Sequence, residues 1–271
     1  MTGDGAQKAP GSKQLVSAAI DGPVGTITLT NGARRNALSH AMMNAIFDAL
    51  TAFQNAAVRV VIIEAERGAK VWSAGHDIDE LPVGGLDPLR YADPLEHTLR
   101  AIRRYPGPVI AKVHGSVWGG AFDLVLSCDL VVADPSATFA ITPVNLGVPY
   151  NTTGLLHFMG RLRLNVIKEL FFTAAPAEAA QALEWGILNW LVPAEEIDRF
   201  TEALAKRMAS KAPLAMAVIK EQLRVLSDEL PIAAQTFERL QDMRRLVYDS
   251  EDYREGIKAF QEKRSPRFTG R

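Results

Sequence analysis

A single cysteine in 271 residues excludes a disulfide within the chain. Cys128 lies in the apolar run LVLSCDLVV (residues 124–132), where a small buried side chain accounts for it without thiol chemistry. An excess of charge is missing too. Thirty Lys and Arg nearly cancel thirty-one Asp and Glu, leaving a net charge of -1 and a pI near 6.5, so no global field is available to hold nucleic acid. No window approaches the roughly 18 consecutive apolar residues of a membrane-spanning helix. The opening MTGDGAQKAPGSKQ lacks the apolar stretch of a signal peptide. These absences predict a cytoplasmic protein without a membrane partner, carrying a polar, mobile tail at residues 1–14. The five histidines do not combine with cysteine or carboxylates at zinc-site spacing, so neither a metal nor a redox cofactor is expected.

What is present suits a globular protein: 48% of residues are hydrophobic and 23% charged, enough for a substantial core. Residues 24–30 (VGTITLT) alternate with the period of a half-buried strand, and this strand is expected to open the fold. Beyond a turn at Asn31 and Gly32, the spacing of Leu38, Met42, Ile46, Ala49, Leu50 and Phe53 predicts one apolar helix face, with Ser39 as its N-cap. The runs VVIIE (60–64), PVIAKV (108–113) and residues 130–133 read as strands buried on both faces. Residues 81–94, rich in proline and glycine, read as a loop or lid. From about Leu162 the pattern is wholly helical, with amphipathic stretches at 163–173, 177–184, 195–209, 214–226, 232–247 and 252–263. The class is therefore α/β with a helical C-terminal region.

Two segments could carry chemistry. Residues 73–78 (SAGHDI) and 114–123 (HGSVWGGAFD) are each a turn of small residues after a strand, and the second also opens an apolar helix. Backbone amides at such turns point outward, and a helix N-terminus favours negative charge. Two amides converging on one oxygen would form an oxyanion hole. Read alone, a Gly-Gly pair also serves as a tight packing turn, and a single histidine as a surface or capping residue.

In order and spacing, RRNALS (34–39), SAGHDI (73–78), GSVWGGAFD (115–123) and TPVNLGVPYN (142–151) resemble the signature of the crotonase, or enoyl-CoA hydratase/isomerase, family, and the likeness runs over almost the whole chain from about residue 20. The resemblance implies a crotonase (ClpP-like) fold, with a spiral of ββα repeats at 15–200 and a helical trimerisation region at 201–271. It further implies a homotrimer or a dimer of trimers, and an acyl-CoA ligand whose carbonyl oxygen accepts hydrogen bonds from the amides of His76 and Gly120. Arg35 and Ala37 resemble the family's early CoA contacts. Ala74, Gly75, His76, Asp77 and Ile78 resemble the strip along the adenine and pantetheine, and Thr142 a wall of the acyl pocket. Lys263, in FQEKR (260–264), resembles the residue that reaches the CoA phosphates, often across a subunit boundary; read by itself it is a solvated charge.

The departures from the family pattern narrow the reaction. Hydration needs two carboxylates to activate water and deliver a proton. Here the first position is Asp123, one methylene shorter than the family's Glu, and the second is Val144, which cannot exchange a proton. Asp123 is either catalytic or a structural hydrogen-bonding residue near the helix start. The loop supplies Tyr150 instead. Together with residues 73–89 and MRRLVYDSEDYREG (243–256), these segments are similar to the decarboxylating branch of the family, which implies loss of CO2 from methylmalonyl-CoA to give propionyl-CoA. Loss of CO2 leaves an enolate whose charge gathers on the thioester oxygen, so paired amides favour the transition state over the substrate. Tyr150 would orient the departing carboxylate, and Val144 and apolar neighbours would disfavour the charged ground state. The alternatives are another family activity, namely ethylmalonyl-CoA decarboxylation, hydration, isomerisation or thioester hydrolysis. A non-catalytic acyl-CoA or RNA-binding relative is the alternative of a different class, for which only Arg100, Arg103 and Arg104 offer a local basic cluster.

Overall fold

The computed structural model describes residues 14–81, 92–228 and 234–269, so the expected tail and most of the 81–94 lid lie outside the described residues. The chain opens with a hairpin in which β1 (Val16–Asp21) pairs antiparallel with β2 (Val24–Leu29). β1 gave no sequence signal because only Val16 is buried on this edge strand. α1 (His40–Asn55) starts where expected, with the Ser39 hydroxyl accepting the Met42 N–H at 3.2 Å. Its buried face is Met42, Met43, Ile46, Ala49, Leu50 and Phe53.

Two sheets are then built in alternation. β3 (Val60–Ala65), β5 (Val109–Val113), β7 (Leu130–Ala133) and later β10 (Trp190–Leu191) extend the first sheet in the order β1-β2-β3-β5-β7-β10, parallel from β2 onward. Each of the three long connections first sends a short strand to a second sheet: β4 (Val71–Ser73), β6 (Ser116–Trp118) and β8 (Thr138–Ala140) lie parallel, and β9 (Ala177–Glu178) closes the edge antiparallel. Helices α2 (Pro94–Arg104), α3 (Gly120–Ser127), α4 (Thr152–Met159), α5 (Leu164–Thr173) and α6 (Ala179–Glu184) complete the turns of this ββα spiral. β9 and β10 correct the expectation of an all-helical pattern beyond Leu162; strands of two residues have no period to detect.

The buried runs read from the sequence are indeed covered on both faces. Val61 and Ile63 of β3 face the main core with α1, whereas Val60 and Ile62 face α7 (Ile197–Ala209), whose Leu204 and Ala205 cover the outer side of the sheet. α8 (Pro213–Asp228), α9 (Ala234–Tyr248) and α10 (Glu251–Gln261) follow. α10 returns to the spiral: a Cβ on Gly256 would collide with the Leu146 carbonyl, so only a glycine permits this approach.

Candidate active site

The turns after β4 and β6 are neighbours because their strands pair. The first turn is fixed from below. Asn36 donates to the Trp72 carbonyl at 2.9 Å, Ser73 donates to the Asn36 carbonyl at 2.7 Å, and Leu38 bridges the turn through Gly75 O at 2.8 Å. Gly75 has φ +81°, and a Cβ there would run into the Trp118 carbonyl and lie 3.2 Å from Gly120 N. The second turn is anchored by Gly119 N–H to the Ala140 carbonyl at 2.9 Å, and α3 begins at once with Gly120. A Cβ built on Gly120 would lie 3.7 Å from His76 N, so the two main chains touch. Among the described residues neither the His76 nor the Gly120 amide finds an acceptor. Two free N–H groups side by side can hold one oxyanion.

A cavity of about 510 Å³ opens beside His76. Of the residues singled out in the sequence, Arg35, Ala37, Ala74, His76, Asp77, Ile78 and Thr142 line it, while Gly75 and Gly120 stand in the backbone behind. Arg34 is committed to Asp77 at 2.9 Å and Asp79 at 2.6 Å, whereas Arg35 has no ion-pair partner among the described residues. Phe260 of α10 closes one side. Lys263, exposed, follows three residues later with its N–H bonded to the Phe260 carbonyl at 3.1 Å. Phe260 of the chain's own C-terminal helix thus reaches the cavity, while Lys263 is not among the residues that line it. Val144 is 44% exposed on the turn Pro143–Leu146, and, like Tyr150 and Asp123, it is not among the residues that line this cavity.

Behind Gly120, one helical turn along α3, lies Asp123, 2% exposed. Its Oδ2 accepts the Tyr150 hydroxyl at 3.2 Å, and its Oδ1 lies 2.8 Å from His157 Nδ1. The Tyr150 ring is gripped edge-on by Phe158 and Phe171, with centroids 5.9 and 5.0 Å away. Glu96 of α2 is buried beside this group, bonded by Asn151 and 3.9 Å from Arg100. Burial, then the nearby Asp123 charge, raises the Glu96 pKa. Burial and then Asp123 and its hydrogen bond raise the Tyr150 pKa well above its ordinary value. For His157, burial opposes protonation, but the charge and hydrogen bond of Asp123 outweigh it and the pKa is raised. The sequence reading missed Glu96, Asn151 and His157. Glu96 and His157 sit on helices of ordinary pattern and come near Asp123 only through tertiary packing, while Asn151 ends the motif 142–151 as the N-cap of α4 and its bond to Glu96 is likewise tertiary.

Two further expectations change. His40, His76 and Asp93, distant in sequence, offer ligand atoms within 4.8 Å of one another, so spacing along the chain did not exhaust the candidate metal ligands. His40 also lies 3.6 Å from Glu80 and 3.7 Å from Asp93, contacts that hold these side chains together. The basic cluster disperses: Arg100 turns toward Glu96, Arg103 lines a separate cavity of about 600 Å³ beneath α8, and Arg104 is exposed. That second cavity shares no lining residue with the first and lacks the amide pair.

A family model described as enoyl-CoA hydratase/isomerase matches residues 19–271. The chain belongs to the enoyl-CoA hydratase/isomerase family. Within this family it is 48% identical over 259 residues to methylmalonyl-CoA decarboxylase of Escherichia coli (strain K12), covering 96% of this chain and 99% of that one. It is 32% identical to carnitinyl-CoA dehydratase of Salmonella typhi, over 93% of this chain and 97% of the relative. A solved structure of methylmalonyl-CoA decarboxylase in complex with 2-nitronate-propionyl-CoA superposes with a TM-score of 0.94 at 48% identity, covering 96% of this chain and all of that one. The two-sheet spiral is thus the crotonase fold, and the two turns of small residues singled out in the sequence are the ones that meet here.

Proposed function

We propose that the chain is a carboxy-lyase converting methylmalonyl-CoA to propionyl-CoA and CO2 through a thioester enolate. The observation that carries this reading is the pair of unsatisfied amides, His76 and Gly120, side by side next to a cavity of about 510 Å³ that His76 lines. Near-full-length likeness to a decarboxylase supports the choice of acyl group. The thioester oxygen accepts both N–H groups. As the C–C bond to the carboxylate breaks, its electron pair enters the thioester π system and the oxygen gains the charge those donors stabilise. Tyr150 donates to the carboxylate and holds it out of the thioester plane, and Thr142 forms part of the acyl wall. Arg35, Ala37, residues 74–78 and Lys263 hold the CoA portion. No cofactor besides the thioester enters this scheme.

We also place the protein in the cytoplasm, with residues 1–14 as a tail, 15–200 as the catalytic spiral and 201–271 as the region that assembles trimers. No helix among the described residues is long and apolar enough to cross a membrane. Nucleic acid is not a partner in this reading, in keeping with a net charge of -1.

A mass-spectrometric product screen over methylmalonyl-, ethylmalonyl-, malonyl- and crotonyl-CoA tests the proposal. Propionyl-CoA from methylmalonyl-CoA is the expected dominant product. Hydration of crotonyl-CoA at a comparable rate would overturn it.

A further inference from the structure

The hydroxyl of Tyr150 carries one proton, and in the structure that proton is directed to Asp123. The decarboxylation proposed above requires the same proton to face the substrate carboxylate. An ionised Asp123 competes for it, since a hydrogen bond to a charged acceptor is roughly twice as strong as one to a neutral acceptor. It would also repel the incoming carboxylate, and the buried Glu96 adds a further like charge whenever it ionises. The only acid in direct contact with Asp123 besides Tyr150 among the described residues is His157, on the opposite oxygen at 2.8 Å. Both side chains are sealed, 3% and 2% exposed, and His157 Nε2 has no hydrogen-bond partner among the described residues.

Resting on that reading of the reaction, we propose that His157 is a positioning residue: it shares one proton with Asp123, and moving that proton onto Asp123 frees the Tyr150 hydroxyl to hold the substrate carboxylate. In the resting pair the proton is on His157 Nδ1 and Asp123 is an anion. When substrate enters, the Nδ1–H bond breaks and an O–H bond forms at Asp123 Oδ1. His157 becomes neutral, and Oδ2 becomes a neutral carbonyl oxygen, the weaker acceptor. Tyr150 then donates to the stronger one, the substrate carboxylate. After CO2 leaves, no anion remains there, Tyr150 returns to Asp123, and the proton returns to His157. No proton is consumed by the switch. The groups facing His157 are Asp123 from α3 and Glu96 and Arg103 from α2; the first and second favour its charged form and the third opposes it.

The test uses the full chain with His157→Gln, which keeps a donor to Asp123 but cannot surrender its proton. Expected is an about ten- to hundred-fold fall in kcat for CO2 release, with propionyl-CoA binding, which involves no carboxylate, unchanged as the check on folding. The decisive variant is Asp123→Asn/His157→Gln, in which the acceptor facing Tyr150 is permanently neutral. It should regain activity over His157→Gln alone, and the decline of kcat/KM as pH rises through the pKa of the wild-type pair should be absent from it. His157→Asn, tested beside the same Asp123→Asn partner, covers the case in which the Gln variant fails to fold. Wild-type turnover in His157→Gln, or a double variant no better than the single one, would overturn the proposal. Absence of CO2 release from the wild-type protein would instead refute the underlying reaction.

Discussion

Single residues decide where the two amides point. Asn36 is 1% exposed with φ +50°, and its side chain ties the segment before α1 to β4. Gly75 lets the first turn lie directly on Trp118 and Gly120. Gly75→Ala should therefore push the turns apart and misalign one donor, lowering turnover about a hundred-fold, the usual cost of losing an oxyanion contact. The variant should still fold; a circular dichroism melt near wild type combined with unchanged kcat would show that the amide pair is not used. At Tyr150 the expectation is a split between parameters. Tyr150→Phe keeps the ring among Phe158 and Phe171 but removes the hydroxyl, so kcat for CO2 release should drop about ten-fold or more while propionyl-CoA affinity is retained. An unchanged turnover number would remove Tyr150 from the mechanism.

At the scale of elements, the site is a by-product of strand pairing and one helix docking. β4 and β6 deliver the turns, and α10 closes one side of the cavity through Phe260. The dock depends on Gly256 against Leu146 and on Gly147, where a Cβ would lie 2.9 Å from the Asp252 carbonyl. Gly256→Ala should lift α10 from the Pro143–Leu146 turn and withdraw Phe260 from the cavity. Thioester affinity, read by titration calorimetry with propionyl-CoA, should weaken several-fold; an unaltered Kd would mean that α10 does not contribute to binding. α1 shows how far an element can be read in advance. Its cap, Ser39, and its face, with Met42, Ile46 and Phe53, follow from spacing alone because an amphipathic helix writes its burial into its sequence. β4, β6 and β8 have three residues each, too few to display a period.

The whole molecule leaves much apolar surface uncovered on its C-terminal helices: Leu214 is 82% exposed, Leu223 64%, Leu226 70% and Leu246 72%. Large apolar side chains exposed in this number mark an association surface, and light scattering on the eluting protein should give a mass of three or six chains. Leu214→Asp combined with Leu226→Asp should shift it toward the monomer. A wild-type monomer at micromolar concentration would refute the trimeric reading.

The amino-acid sequence by itself determined the α/β class, the doubly buried strands, α1, most of the later helices and the two turns of small residues, because each is written in local spacing or in contiguous motifs. Only the tertiary structure decided that the two turns touch, that α10 folds onto its own chain, and that Asp123 stands between Tyr150 and His157. Those facts depend on which strands pair and which helices pack, relations between residues 27 to more than 100 positions apart, and no local pattern of side chains encodes a distance across the core.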